Sequence, residues 1–172
     1  ELVEMTITVG SNTRTVNDGN GTTWTDGDDL TVIHSATSAS TPSFWPSQFF
    51  FNGGNAFHGT VSRLSSSNNW YAVYPYAESN ASANDIAFTL PSTQTQEGNA
   101  SMAHLAGRNF PLFGKAEGVA RSTELSLPMK NLLAVAKFNV TNNSDTAITV
   151  KEIEYTAISR SEERFSRNAE TD

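Results

Sequence analysis

The sequence predicts an all-β domain, an antiparallel β-sandwich or barrel, on three observations. Short runs alternate apolar and polar residues with the period of two that a half-buried strand requires. Clusters of Gly, Asn, Asp, Ser and Pro separate these runs at a spacing of roughly ten residues. No helical periodicity is convincing before Ile158. About eight or nine strands fit the pattern, and a sandwich is the expected closure. The domain is expected to span residues 1–158, and residues 159–172, charged, polar and without alternation, read as a disordered tail.

Residues 2–9 form the first strand, with Val3, Met5, Ile7 and Val9 on one face and Glu4, Thr6 and Thr8 on the other. Turn chemistry follows at residues 10–12 and 17–21, with a short extended piece at 14–16 between them. Trp24 leads into a turn at 25–29 that feeds a strand at 30–34. A long Ser/Thr/Pro loop, 35–47, precedes Phe49, Phe50 and Phe51, and the turn at 52–54 returns the chain as a strand at 56–61. Residues 70–74 form an aromatic strand stopped by Pro75, with Trp70, Ala72 and Tyr74 inward. Ile86, Phe88 and Leu90 alternate up to Pro91, residues 94–108 read as loop with one short element, and Leu125 and Leu127 alternate before Pro128. Residues 131–140 read as a strand buried on both sides at its start, because Leu133 and Val135 face away from Ala134, Ala136, Phe138 and Val140. Beyond a turn at 142–145, Ile148 and Val150 share one face while Ile153 and Tyr155 take the other, which a β-bulge near Lys151 and Glu152 reconciles.

Composition narrows the function. The 172 residues carry a net charge of -7, the wrong sign for a surface that tracks phosphates, so nucleic acid is not an expected partner. Cysteine is absent, which removes thiolate catalysis, zinc–thiolate sites and disulfides. The Ser/Thr/Asn-rich, Lys-poor surface points to the cell exterior. No apolar stretch approaches the roughly twenty residues of a membrane span. No basic-then-apolar leader precedes Glu1, so the chain is expected to be mature, trimmed or a fragment.

Candidates for chemistry are weak. Asp26, Asp28 and Asp29 around Gly27 suit either calcium or an ordinary turn, and their spacing fits no EF-hand loop. His34, His58 and His104 lack metal-ligand spacing. No nucleophile elbow surrounds any serine, and Ser126 is the outward position of a strand. Glu78, Asp85, Glu97 and Glu117 fall in loops or at strand ends rather than as a facing catalytic pair. The chain is therefore expected to be no enzyme and to need no metal or cofactor. Among the aromatics, Phe44 and Trp45 in the Ser/Pro loop have the best claim to exposure and to contact with a sugar or host ligand, whereas Trp70 and Tyr74 belong to the core.

Four ordered segments resemble the N-terminal domain of the fimbrillin family, the type V pilins of bacteria. They are Thr23-Trp24-Thr25-Asp26-Gly27-Asp28 ahead of a strand, Tyr71-Ala72-Val73-Tyr74-Pro75, Phe88-Thr89-Leu90-Pro91 with Gln94 just after, and Asn131-Leu132-Leu133-Ala134-Val135-Ala136-Lys137-Phe138 followed by residues 148–155. The resemblance covers roughly residues 5–157. It implies a transthyretin-like β-sandwich followed in the family by a second sandwich domain, which residues 159–172 do not resemble. It further implies export as a lipoprotein, a place in outer-membrane-associated fimbriae, and a role in adhesion and biofilm formation with no cofactor. The family's lipid anchor would be the sole membrane attachment, and it is not expected within this chain.

The assembly implied is proteolytic: an arginine-specific protease removes the N-terminal strand, and a strand from another fimbrial subunit, in a homo- or hetero-polymer, fills the groove. Residues 2–9, through Val3, Met5, Ile7 and Val9, are then the exchangeable strand and Arg14 the processing candidate. The plainer alternative is an ordinary first strand and an ordinary surface arginine. Strand exchange leads one to expect the groove walls from residues 131–140 or from the last strand. The competing function is a surface glycan- or host-binding sandwich using Phe44 and Trp45.

Overall fold

Alternation becomes strand wherever a partner is available. The computed structural model describes residues 1–10, 16–17, 22–96, 98, 103–105, 107–135 and 138–154. Its strands are β1 (Leu2–Thr8), β2 (Val16–Asn17), β3 (Thr22–Thr23), β4 (Asp29–Ala36), β5 (Trp45–Phe51), β6 (Ala56–Ser62), β7 (Ser67–Tyr74), β8 (Leu112–Ala120), β9 (Glu124–Ser126) and β10 (Met129–Asn131). Helix is limited, among the described residues, to two 3-10 turns at Ala103–Leu105 and Gly107–Asn109. The fold is all-β.

Eight strands form one mixed sheet in the order β10-β8-β7-β4-β5-β6-β1-β9, and β2 pairs β3 separately. Neighbours are antiparallel except β1 and β9, which are parallel. The strands at the two ends of this order, β9 and β10, are separated in the chain only by Leu127 and Pro128. That link reaches no more than about 11 Å, so the sheet has to curl until its ends meet. Leu127 N donates to Thr8 O at 2.9 Å on the β1 side. On the β8 side, a Cβ placed on Gly114 would lie 2.9 Å from Pro128 O.

Inside the curl lies one core of Met5, Ile7, Val9, Trp24, Leu30, Val32, Phe49, Phe57, Val61, Trp70, Ala72, Tyr74, Leu112, Leu125, Leu127 and Met129. The register stacks it in rungs, Met5–Gly59–Phe49–Leu30 in one and Val32–Ala72–Gly114–Met129 in another. Gly59 is glycine for a steric reason, since a Cβ there would stand 2.6 Å from Phe49 Cδ2 and 2.7 Å from Gln48 O. Trp24 plugs the curl, edge-on to Phe57 at 4.9 Å and to Tyr74 at 5.2 Å. The 25–29 turn anchors it: Asp28 Oδ2 accepts from Thr25 N at 2.7 Å, and Tyr74 donates its hydroxyl to Asp28 Oδ1 at 2.8 Å.

Several expectations need correction. The 35–47 loop is shorter, because β4 runs through Ala36 and β5 starts at Trp45. Residues 86–90 form no strand; Ile86 and Phe88 are half-buried, but the backbone of Ala87 is taken by the buried Asn80 side chain, which accepts from Ala87 N at 3.0 Å and donates to Ala87 O at 3.3 Å. β8 was not legible as a strand, since Gly114, Lys115, Glu117 and Gly118 blur its alternation. Residues 131–140 are not a doubly buried strand: pairing ends at Asn131, and Leu132, Leu133, Val135, Phe138 and Val140 are exposed. Residues 148–154 are likewise outside any strand, with Ile148, Val150 and Ile153 exposed. The chain divides into two units, Glu1–Val135 and Ala136–Asp172. Residues 159–172 lie outside the described residues.

Candidate functional site

β1 is the element on which a strand-exchange function would turn. Its alternation is realised as burial: Met5, Ile7 and Val9 are 3 %, 0 % and 1 % exposed, Val3 packs half-buried on the same core, and Leu2 and Glu4 face solvent. β6 pairs with its whole length, from Leu2 opposite Ser62 to Thr8 opposite Ala56. β9 pairs with its second half in parallel, from Thr6 with Glu124 to Thr8 with Ser126. Thr6 N donates to Thr123 O and Val9 N to Asn55 O, each at 2.9 Å.

Withdrawing β1 would leave Phe57 and Val61 on one wall and Leu125 and Leu127 on the other, with a row of backbone groups unpaired on each. The walls therefore come from β6 and β9, not from residues 131–140 or a later strand. The sequence marked the strand that fills the groove but not its neighbours, because alternation reveals a face and is silent on pairing partners. Arg14 and its connection lie outside the described residues. Arg121 is engaged, its guanidinium 3.8 Å from the Glu1 carboxylate and 3.5 Å from Leu64 O.

Phe44 and Trp45 do not form one exposed patch. Trp45 opens β5, half-buried and directly opposite His34, and carries the Arg63 guanidinium 4.3 Å from its ring centroid. Phe44, also half-buried, lies edge-on to Tyr71 at 6.4 Å, and Tyr71 is on the opposite face of β7 from Trp70. Successive residues of an extended chain point to opposite faces, which is what separates the two aromatics.

The remaining candidates have structural employment. Asp28 ties the turn to Tyr74, and Asp29 accepts from Gln48 Nε2 at 2.8 Å. Among the described residues no three His, Asp or Glu side chains gather as metal ligands. Glu78 and Asp85 are exposed, Glu117 pairs with Lys115 at 3.5 Å, and Glu97 lies outside the described residues.

His34 is the unusual group. It is fully buried and stacks on Trp70 at 4.9 Å, and its ring nitrogens make no hydrogen bond of good geometry, the backbone of Ser62 and Trp45 acting on them only weakly. Burial holds its pKa below the ordinary 6.5, against an opposing pull from the backbone of Ser62 and Trp45. A lowered folded-state value means the unfolded chain binds the proton more readily. The neutral ring thus favours the fold fully above pH 6.5, and this contribution is lost as pH falls below it. Thermal melts between pH 7.5 and 5 are expected to show a declining Tm that His34→Phe flattens; an equal slope in both proteins would assign the acid sensitivity elsewhere.

Compared with known proteins, the chain matches no family model, no curated protein and no solved structure.

Proposed function

We propose that the chain is a structural and adhesive subunit of bacterial cell-surface fimbriae, or the N-terminal portion of one, assembling by exchange of its first strand after proteolysis. The observation that carries this reading is β1 itself, a strand paired on both edges within the sheet that supplies Met5, Ile7 and Val9 to the core. An incoming strand with the same alternation would recover both the buried side chains and the main-chain hydrogen bonds. In this reading the curled sheet is a sandwich of transthyretin type, antiparallel but for the β1–β9 pair, with β10-β8-β7-β4 as one layer and β5-β6-β1-β9 as the other. Its setting is the bacterial outer surface, its partners are other fimbrial subunits and an arginine-specific protease, and it performs no catalysis.

Limited digestion with an arginine-specific protease tests this directly. Cleavage at Arg14, loss of the first strand by mass spectrometry, and concentration-dependent growth in light scattering are expected, with a synthetic peptide of residues 2–9 blocking the growth. Resistance at Arg14, or cleavage without association, would remove the proposal. The second reading, a surface glycan- or host-binding module, draws on the half-exposed Trp45 and its overlying arginine.

A further inference from the structure

Exposed apolar surface is not spread evenly over this chain. Of the eleven large hydrophobic side chains that face solvent among the described residues, eight lie between residues 132 and 153, a stretch outside every strand. Four of these belong to the second unit, are each more than half exposed, and share one parity: Phe138 and Val140 before residues 142–146, Ile148 and Val150 after them.

Between these two arms the chain is already folded back. Asn142 donates its side-chain amide to Thr146 O at 2.8 Å and accepts from Ser144 N at 2.9 Å, with Ser144 Oγ 2.9 Å from Thr146 O. The turn therefore sets residue 142 against residue 146. Continued along both arms, that register places Val140 against Ile148 and Phe138 against Val150, with Asn139 and Thr149 on the reverse. The result is a hairpin with one apolar and one polar face. Two strands alone are marginal in water, so such a hairpin becomes stable only when its apolar face is covered.

We propose that the cover is a second copy of this chain, the two hairpins of residues 138–150 meeting by their apolar faces about a two-fold axis. A contact of this symmetry needs a patch that complements itself, and an uncharged face of Val, Ile and Phe does so. Asp145, at the turn, is the only charged residue within 138–150, so copies of a chain with a net charge of -7 meet here with little repulsion. The four side chains expose roughly 400 Å² per copy, more than scattered surface hydrophobics do and, once a polar rim is added, close to the roughly 1,000 Å² in total of a specific interface. The contact uses neither β1 nor Arg14. It therefore goes beyond fimbrial assembly by strand exchange and stands or falls separately from it.

Sedimentation velocity of the intact, uncleaved chain over a series of concentrations tests this. A reversible equilibrium that stops at two copies is expected, with NMR cross-strand contacts between residues 140 and 148 growing in as the dimer forms. Val140→Asp and Val150→Asp each bring two carboxylates into the shared face, one per copy, and should weaken dimerisation about a hundredfold or more. Both positions are exposed and outside every strand, so the far-UV circular dichroism of the sheet should be unchanged, which separates association from folding. Leu90→Asp, at an exposed position elsewhere, and an added peptide of residues 2–9 should both leave the dimer intact. A monomer at every concentration, growth beyond two copies, equal dimerisation in Val150→Asp, or loss of the dimer on adding the peptide would overturn the proposal.

Discussion

Ile7→Asp is expected to abolish the folded sheet. Ile7 is completely buried in the second half of β1, with Phe57 opposite on β6 and Leu125 opposite on β9. An ionised carboxylate at this position would face apolar groups on both sides, at a cost of several kcal/mol, and even its protonated form would need a partner the site does not offer. Total stability of a domain this size is only about 5–15 kcal/mol. Far-UV circular dichroism and amide dispersion in NMR should report loss of structure at 25 °C. Leu2→Asp, on the same strand but 74 % exposed, is expected to change stability by less than about 0.5 kcal/mol. A folded Ile7→Asp protein would mean that β1 is dispensable to the core, and the groove it fills would lose its significance.

Phe57→Ala should cost about 3–5 kcal/mol, the range for emptying a buried phenylalanine position. Phe57 is fully buried, edge-on to Trp24 at 4.9 Å and to Phe51 at 5.6 Å, and lies on the wall against which Ile7 rests. Urea unfolding should show the midpoint falling with the m-value unchanged. Phe50→Ala provides the contrast, because Phe50 is 54 % exposed and is expected to shift stability by about 0.5 kcal/mol or less. A small effect at Phe57 would indicate that Trp24 collapses into the space, which near-UV circular dichroism would register.

The fold class and several strands were legible because period-two alternation reports a buried face wherever it is clean. It is clean at Met5, Ile7 and Val9 and at Trp70, Ala72 and Tyr74, and all six are core residues. It misleads where a side chain substitutes for a strand partner, as Asn80 does for Ala87. It also misleads where the pattern has no partner strand to pair with, as at Leu132, Leu133 and Val135. It is silent where close approach demands glycine and outward positions demand charge, as in β8. Of the candidate site, the first strand was readable and its neighbours β6 and β9 were not.

The parallel pairing of β1 with β9 sets an order of events during synthesis. β1 is synthesised ahead of both its neighbours: its antiparallel partner β6 follows some fifty residues later on its ladder with Thr8 opposite Ala56, and its other edge is satisfied only once Glu124 has emerged. Contacts of such long sequence separation form late and slowly. Throughout that interval the half-finished sheet presents one unpaired strand edge beside an apolar row, the kind of surface a chaperone or a neighbouring chain captures.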